Sequence, residues 1–344
     1  MPAARVLTQR QLHRALLARQ GLLERRDLAL PRALERFGAI QAQYAPSTYV
    51  GLWSRLAGFE RETLSRLLER RTVVQGTLMR STIHLVSRRD WWPLSLAVRE
   101  ERRKLWLRAH GVGEPAMREA AEAVRARLAA AGIVARRDLD ALVGRERAAG
   151  VGLWVDLVRA PPSGTWERRR ADLFALAEDW VGPPAATAAE GVELLVRRYL
   201  SAFGPAARGD VASFTGLRAG ELAPAIERVA TRRFADSAGG ELLDVARAPL
   251  PDPATPAPVR FLPTFDATLL VHARRTGLLP EEHRPRIFST RKPHSEPTFL
   301  VDGVVAGTWR LDGGRVTLSP FGRLDGADRR ALEEEGERLA AFAA

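Results

Sequence analysis

The sequence predicts an α+β, mainly helical chain, with tandem helix-turn-helix units followed by a β-rich module. Three observations carry that reading. A helix–stop–restart pattern, Leu-x3-Gly-x3-Arg-x-Asp-apolar, occurs at Leu128, Gly132, Arg136, Asp138 and Leu139 and again at Leu200, Gly204, Arg208, Asp210 and Val211, with a weaker copy at Leu17, Gly21, Arg25, Asp27 and Leu28. Stretches of alternating apolar and polar residues follow the helical pairs, where a wing would lie. Breaks at Gly111-Val-Gly-Glu-Pro115, at Gly182-Pro-Pro184 and in the Pro-rich segment from Leu250 to Pro258 divide the chain into residues 1–110, 111–182, 183–250 and 251–344.

The repeated pattern has a physical reading. Leu sits on the buried face of the first helix, Gly ends that helix in the left-handed conformation, and Asp caps the next helix by accepting from its free N–H groups. Helix, short turn and capped helix make the helix-turn-helix unit. In the first unit a helix from about Leu30 is expected to end near Gln41, because Pro46 disfavours helix at Ala45. Residues 77–86 alternate as a strand, with Arg80, Thr82 and His84 on one face. Trp91-Trp92, just ahead of Pro93, read as packing anchors at a helix start. In the last module, two apolar runs flank Asp302-Gly303 as a hairpin, and Asp312-Gly-Gly314 turns into another strand. Residues 326–342 finish as a charged helix.

Composition narrows the function. The formal net charge of +12 favours a polyanionic partner. All but two of the 53 basic residues are arginine, and neither Lys104 nor Lys292 stands in a Gly-Lys-Ser/Thr context, so there is no P-loop. The absence of cysteine removes disulfides, Cys-zinc sites, iron–sulfur clusters and thiol nucleophiles. None of the six histidines forms a metal-binding pair, and Glu281-Glu282-His283 reads as a solvated loop among Pro and Arg. No metal and no cofactor are expected. With no run of 18 apolar residues and no apolar leader, the expectation is a cytoplasmic, nucleoid-associated protein without a membrane span.

The most informative segment is Phe37-Gly-Ala-Ile-Gln41-Ala-Gln43-Tyr-Ala-Pro46. Two glutamines two apart point ~200° away from each other inside a helix. In the exit turn after a helix, both amides can converge on one spot. Ordinary polarity at a helix C-terminus is the competing reading of the spacing.

Four segments in order make the chain similar to the winged-helix DNA glycosylases of the AlkZ/YcaQ-like family. They are Gln41-Ala-Gln43, Thr77-Leu-Met-Arg-Ser-Thr-Ile-His84-Leu-Val, Phe261-Leu-Pro-Thr-Phe-Asp266, and Leu300-Val-Asp-Gly-Val-Val-Ala-Gly-Thr-Trp-Arg310. The resemblance implies tandem winged helices held in a C-shape by a C-terminal β-barrel-like module around duplex DNA. It implies hydrolysis of the N-glycosidic bond of N7-alkylated purines, crosslinked ones included, with Gln41 and Gln43 catalytic. The expected partner is duplex DNA carrying alkylated purines, bound by a monomer. Arg80, Thr82 and His84 are candidates for contacting that DNA, with a general-base role for His84 as an alternative. The family's DNA-probing β-hairpin has its candidates in Arg274-Arg275 and in residues 286–294, Arg291 and Lys292 among them. A non-enzymatic winged-helix regulator is the rival reading; it would read base edges and prefer one operator sequence.

Overall fold

The computed structural model describes residues 5–272, 278–288 and 294–344. Within them the fold is mixed α/β, with helices packed around open antiparallel sheets. The largest sheet has six strands: β1 (Ile40–Gln41), β2 (Val73–Thr77), β3 (Ile83–Ser87), β4 (Val134–Ala135), β5 (Leu157–Arg159) and β6 (Leu173–Leu176), in the spatial order β1-β3-β2-β5-β6-β4. Pairing of β2 with β5, through Gln75 opposite Arg159 and Gly76 opposite Val158, joins residues of the expected first and second units in one sheet. An apolar core runs continuously from Leu16 and Leu22 through Trp91, Trp92 and Val98 to Tyr199, Phe203 and Val271. The paired tryptophans are packing anchors, as expected.

The repeated pattern does mark helix pairs: Glu114–Ala131 with Arg136–Val143, and Ala188–Phe203 with Arg208–Thr215. Its polar positions differ from expectation. Asp138 and Asp210 occupy the third helical position, after the cap residues Ala135 and Ala207. Asp210 Oδ2 accepts from the Ala207 N–H at 3.1 Å, so it reaches back to the cap instead of being it. Gly132 has the left-handed φ of 71°, but Gly204 has φ −70°. Gly204 is required for space: a Cβ there would lie 2.6 Å from Leu200 O and 3.0 Å from Arg19 Nη1.

The pair Ala188–Phe203 and Arg208–Thr215, the third helical pair because it falls in the third expected unit, leads through Ala219–Val229 into a two-stranded sheet of β7 (Arg232–Ala235) and β8 (Glu241–Asp244). The last module comprises β9 (Arg260–Leu262), β10 (Thr298–Val301), β11 (Val304–Asp312) and β12 (Arg315–Pro320), in the order β12-β11-β10-β9. The Asp302-Gly303 hairpin forms as expected, with φ of 45° and 79° matching the right-handed twist of its strands. The expected barrel does not. β9 and β12 lie at opposite edges of an open sheet, since four strands are too few to close around a side-chain-filled interior. The helix Gly326–Ala343 covers one face instead, with Gly336 against Val316.

Buried ion pairs cross-link these parts. Arg19 on the first helix and Asp244 on β8 are both 0% exposed and bond in a fork, at 2.7 and 3.0 Å. Arg19 also donates to Leu200 O and Pro249 O. Removing one partner leaves the other as an uncompensated buried charge, which costs about 3–5 kcal/mol. Asp244→Ala should therefore lower unfolding stability by about that amount in a urea titration; an unchanged midpoint would show that the pair does not hold the helix to the sheet.

Candidate active site

The path to the two glutamines is set by an abrupt helix end. The helix Leu30–Phe37 stops at Gly38, and two left-handed residues follow, Gly38 at φ 78° and Ala39 at φ 71°. Only glycine fits the first position, because a Cβ would meet Ala202 Cβ and Phe203 Cε2 at 2.9 Å. The helix thus ends four residues before the expected point. Gln41 lies in β1, paired with His84 of β3. Pro46 occupies the first turn of the next helix, Ala45–Trp53, where a missing N–H does no harm.

A short strand and the bend that follows it, not the exit turn of the Leu30–Phe37 helix, carry the glutamines. Ala42 is buried between half-buried Gln41 and exposed Gln43. Ala42 N donates to Ile83 O at 2.7 Å; where the chain then bends away from β3, the Gln43 side chain continues the ladder, its Oε1 accepting from Ile83 N at 3.1 Å. Gln41 Oε1 accepts from Arg80 Nη2 at 3.3 Å. Guanidinium and backbone N–H groups can only donate, so both amide orientations follow from the network. Gln41 is left presenting its NH₂. Gln43 keeps an NH₂ and the second lone pair of its oxygen.

Residues 77–86 do not form one continuous strand. β2 ends at Thr77, a tight turn follows, and β3 starts at Ile83. Arg80 and Ser81 hold left-handed φ values of 51° and 58°, uncommon for residues with a Cβ. Leu78 N donates to Thr82 O at 3.0 Å, and the Thr82 hydroxyl donates to Met79 O at 3.1 Å. Arg80 is thrown sideways from this turn: its Nη1 donates to Phe214 O at 2.9 Å and its guanidinium lies 4.9 Å from the Phe214 ring. The expected common face of Arg80, Thr82 and His84 is therefore absent. His84 is 2% exposed, inside the sheet, and its Nδ1 donates to Thr82 O at 2.9 Å. Burial first, and then the neighbouring Arg80 charge, lower its pKa to about 3. It is thus buried and neutral at neutral pH, with one ring nitrogen committed to the turn that precedes β3.

Behind Gln41 lies a hollow lined by Gln20, Ser47, Gly51, Arg55, Pro263, Thr264, Phe265 and Asp266. The Asp266 carboxylate receives Arg55 bidentately at 3.0 and 2.8 Å, and also Thr268 N and Oγ1. Both charges of this pair are buried and matched, which makes it a brace between the Ala45–Trp53 helix region and the segment after β9. Gln20 Nε2 donates to Phe37 O and Ala202 O, tying the helix that precedes the glutamines to the third helical pair. Across Ser47, Pro263 and Thr264 the hollow adjoins an apolar cavity of about 430 Å³ walled by Tyr44, Val50, His294, Pro297 and Trp309.

Arg274, Arg275, Arg291 and Lys292 lie outside the described residues. Arg286 lies in the short helix Arg284–Ile287, its guanidinium over Phe321. Glu281-Glu282-His283 forms a single 3₁₀ turn rather than an irregular loop, and no group of three metal-ligating side chains occurs among the described residues. No described helix is long and apolar enough to cross a membrane. Arg55 and Gln20 carried no sequence signal. Asp266 stood in a recognised motif, but its role as a brace became visible only with its partner.

A model of the AlkZ-like DNA glycosylase family matches residues 34–342. A comparison with curated proteins finds no match. Among solved structures, the Streptomyces sahachiroi DNA glycosylase AlkZ is similar in fold, with a TM-score of 0.82 over 98% of this chain and 97% of that one at 19% identity. With both termini of the Gln-Ala-Gln segment anchored as described and the family model spanning nearly the whole chain, the protein belongs to the AlkZ-like DNA glycosylases, enzymes of DNA repair.

Proposed function

We propose that this glycosylase hydrolyses the N-glycosidic bond of N7-alkylated purines in duplex DNA, crosslinked ones included, with Gln41 and Gln43 as its catalytic groups. The observation that carries this is the pair of neutral amides, each held by a donor-only neighbour, while the carboxylate beside them, Asp266, is neutralised by Arg55. Ordinary glycosidases need a carboxylic acid to protonate the leaving group. An N7-alkylated purine is already cationic. When its C1′–N9 bond breaks, the electron pair neutralises the base, and no acid is needed. What remains is to place a water against C1′; as the new C–O bond forms, that water passes its proton to the surrounding solvent, since neither amide accepts one. The second lone pair of Gln43 Oε1 orients that water; the Gln41 NH₂ holds a neighbouring oxygen of the substrate. The apolar cavity next to the hollow offers room for an alkyl substituent.

In the same reading the helix pairs and the strands after them act as winged helices in a C-shaped monomer, over residues 1–110, 111–182 and 183–250, and Thr82 lies near the DNA. The nucleoid is its working place.

Gln43→Ala should lower single-turnover release of N7-methylguanine by roughly 10²-fold or more while duplex affinity changes little. A variant as active as the wild type overturns the assignment. A wild type that releases no base and prefers one undamaged sequence points to a regulator. The rate, corrected for spontaneous depurination, should be nearly flat from about pH 6 to 8, because amides do not titrate and His84 takes a proton only near pH 3 in the folded chain. The unfolded chain binds that proton near pH 6.5, so acid lowers stability as pH falls from about 6.5 towards 3 and leaves the excision profile flat above it. An ionisation near 6.5 that vanishes in His84→Ala transfers the role to the histidine. Excision should survive EDTA; loss on chelation and rescue by a divalent ion would show that a metal takes part.

A further inference from the structure

Among the described residues, buried arginines are matched to carboxylates: Arg14 to Asp302, Arg19 to Asp244, Arg55 to Asp266. Around the β2–β3 turn the matching stops. Arg80, Arg102 and Arg159 are each partly buried, and none has a carboxylate within 4 Å among the described residues. Arg102, from the long helix Arg88–Ala109, donates through Nη1 to Thr77 O at 2.9 Å and through Nε to Ser81 Oγ at 3.4 Å. Arg159, from β5, donates through Nη2 to Thr77 Oγ1 at 3.3 Å and stacks 4.2 Å from the Phe174 ring. Its Nε is buried with no partner. The nearby carboxylate, Asp156, is taken by Arg99 at 2.6 Å and by Ser95. Two guanidinium groups thus meet at Thr77, and the third, Arg80, stands three residues further along the turn with its hand on Gln41.

We propose that Arg80, Arg102 and Arg159 form a binding site for the phosphodiester backbone of duplex DNA, next to Gln41. The inference rests on the glycosylase reading and names residues for its backbone contact. Neutral acceptors alone occupy these guanidinium groups, and each keeps N–H donors that a phosphate can take, bidentately where two lie in a fork. Burial first, and then nearby arginine charges, lower the pKa of Arg102 and of Arg159 to about 10, so both remain charged at neutral pH, and burial lowers that of Arg80 as well; the folded protein holds these charges at a penalty that an anion relieves. A phosphate here also answers an electrostatic conflict. A bare guanidinium beside Gln41 would repel a cationic purine and the oxocarbenium-like sugar that follows it; a guanidinium neutralised by backbone would not.

The test is the salt dependence of binding to undamaged duplex, which needs no excision. Arg102→Gln and Arg159→Gln should each lower the log–log slope of affinity against salt by about 0.9, one phosphate contact. Arg102→Lys and Arg159→Lys keep the charge and should keep the slope. Lys and Gln variants that share the wild-type slope, or that lose affinity equally without any change of slope, overturn the site and assign these arginines to packing. Should a Gln variant fail to fold, its Lys counterpart decides: a Lys variant that folds and loses the slope also overturns it. A wild type that shows no salt-dependent duplex binding defeats the DNA reading itself, a different failure from variants that leave a steep wild-type slope untouched.

Discussion

A guanidinium taken out of water must find an anion or strong acceptors, and much of this structure follows from how that demand is met. Arg19 reaches Asp244 across 225 residues of sequence, Arg55 reaches Asp266 across 211, and Arg14 reaches Asp302 across 288. Arg25 and Arg338 converge on Glu335, which is fully buried in the last helix. These pairs fix the first helix to β8 and to the C-terminal hairpin, and the helix after the glutamines to the segment that follows β9. Hydrophobic burial drives such parts together without choosing their register. A forked pair tolerates little displacement, so it specifies which surfaces meet.

The same chemistry sets the site. Arg80 has no carboxylate, so its donors go to Phe214 O and Gln41 Oε1. One side chain thereby connects the β2–β3 turn, the third helical pair and the catalytic candidate. Because an arginine can only donate, it decides which end of the Gln41 amide faces outward. The Ile83 N–H does the same for Gln43. Two glutamines free to rotate would offer donor and acceptor at random; held this way, they present a fixed pattern. The left-handed residues Arg80 and Ser81 are the local strain that accompanies this arrangement.

A good part of this was legible in the chain. The helix pairs were readable from the spacing of Leu, Gly and Arg, and the Asp302-Gly303 hairpin from its turn residues. The Gln-Ala-Gln segment stood out by motif. The local geometry around it did not. Residues 77–82 contain no Gly, Pro or Asn, so nothing marked the turn that divides β2 from β3. Its bonds, Leu78 to Thr82 and Arg80 to Phe214, are won in competition with a strand that the alternating residues would equally support. The burial of His84 was not legible for the same reason: alternation separates two faces of a strand, but both faces of β3 are covered, so the polar position is buried too.

By itself the sequence determined the helices, the tight hairpin, the lack of cysteine chemistry and the identity of the two amides, since each rests on residues within a few positions of one another. The tertiary structure alone decided that Gln41 pairs with His84, that Gln43 bonds Ile83, that four strands stay an open sheet, and which arginines are matched and which are not. The reason is range. A helix or a two-residue turn closes its hydrogen bonds locally, whereas strand pairing and charge pairing join groups tens to hundreds of residues apart, and many partners of equal local merit exist until packing selects one.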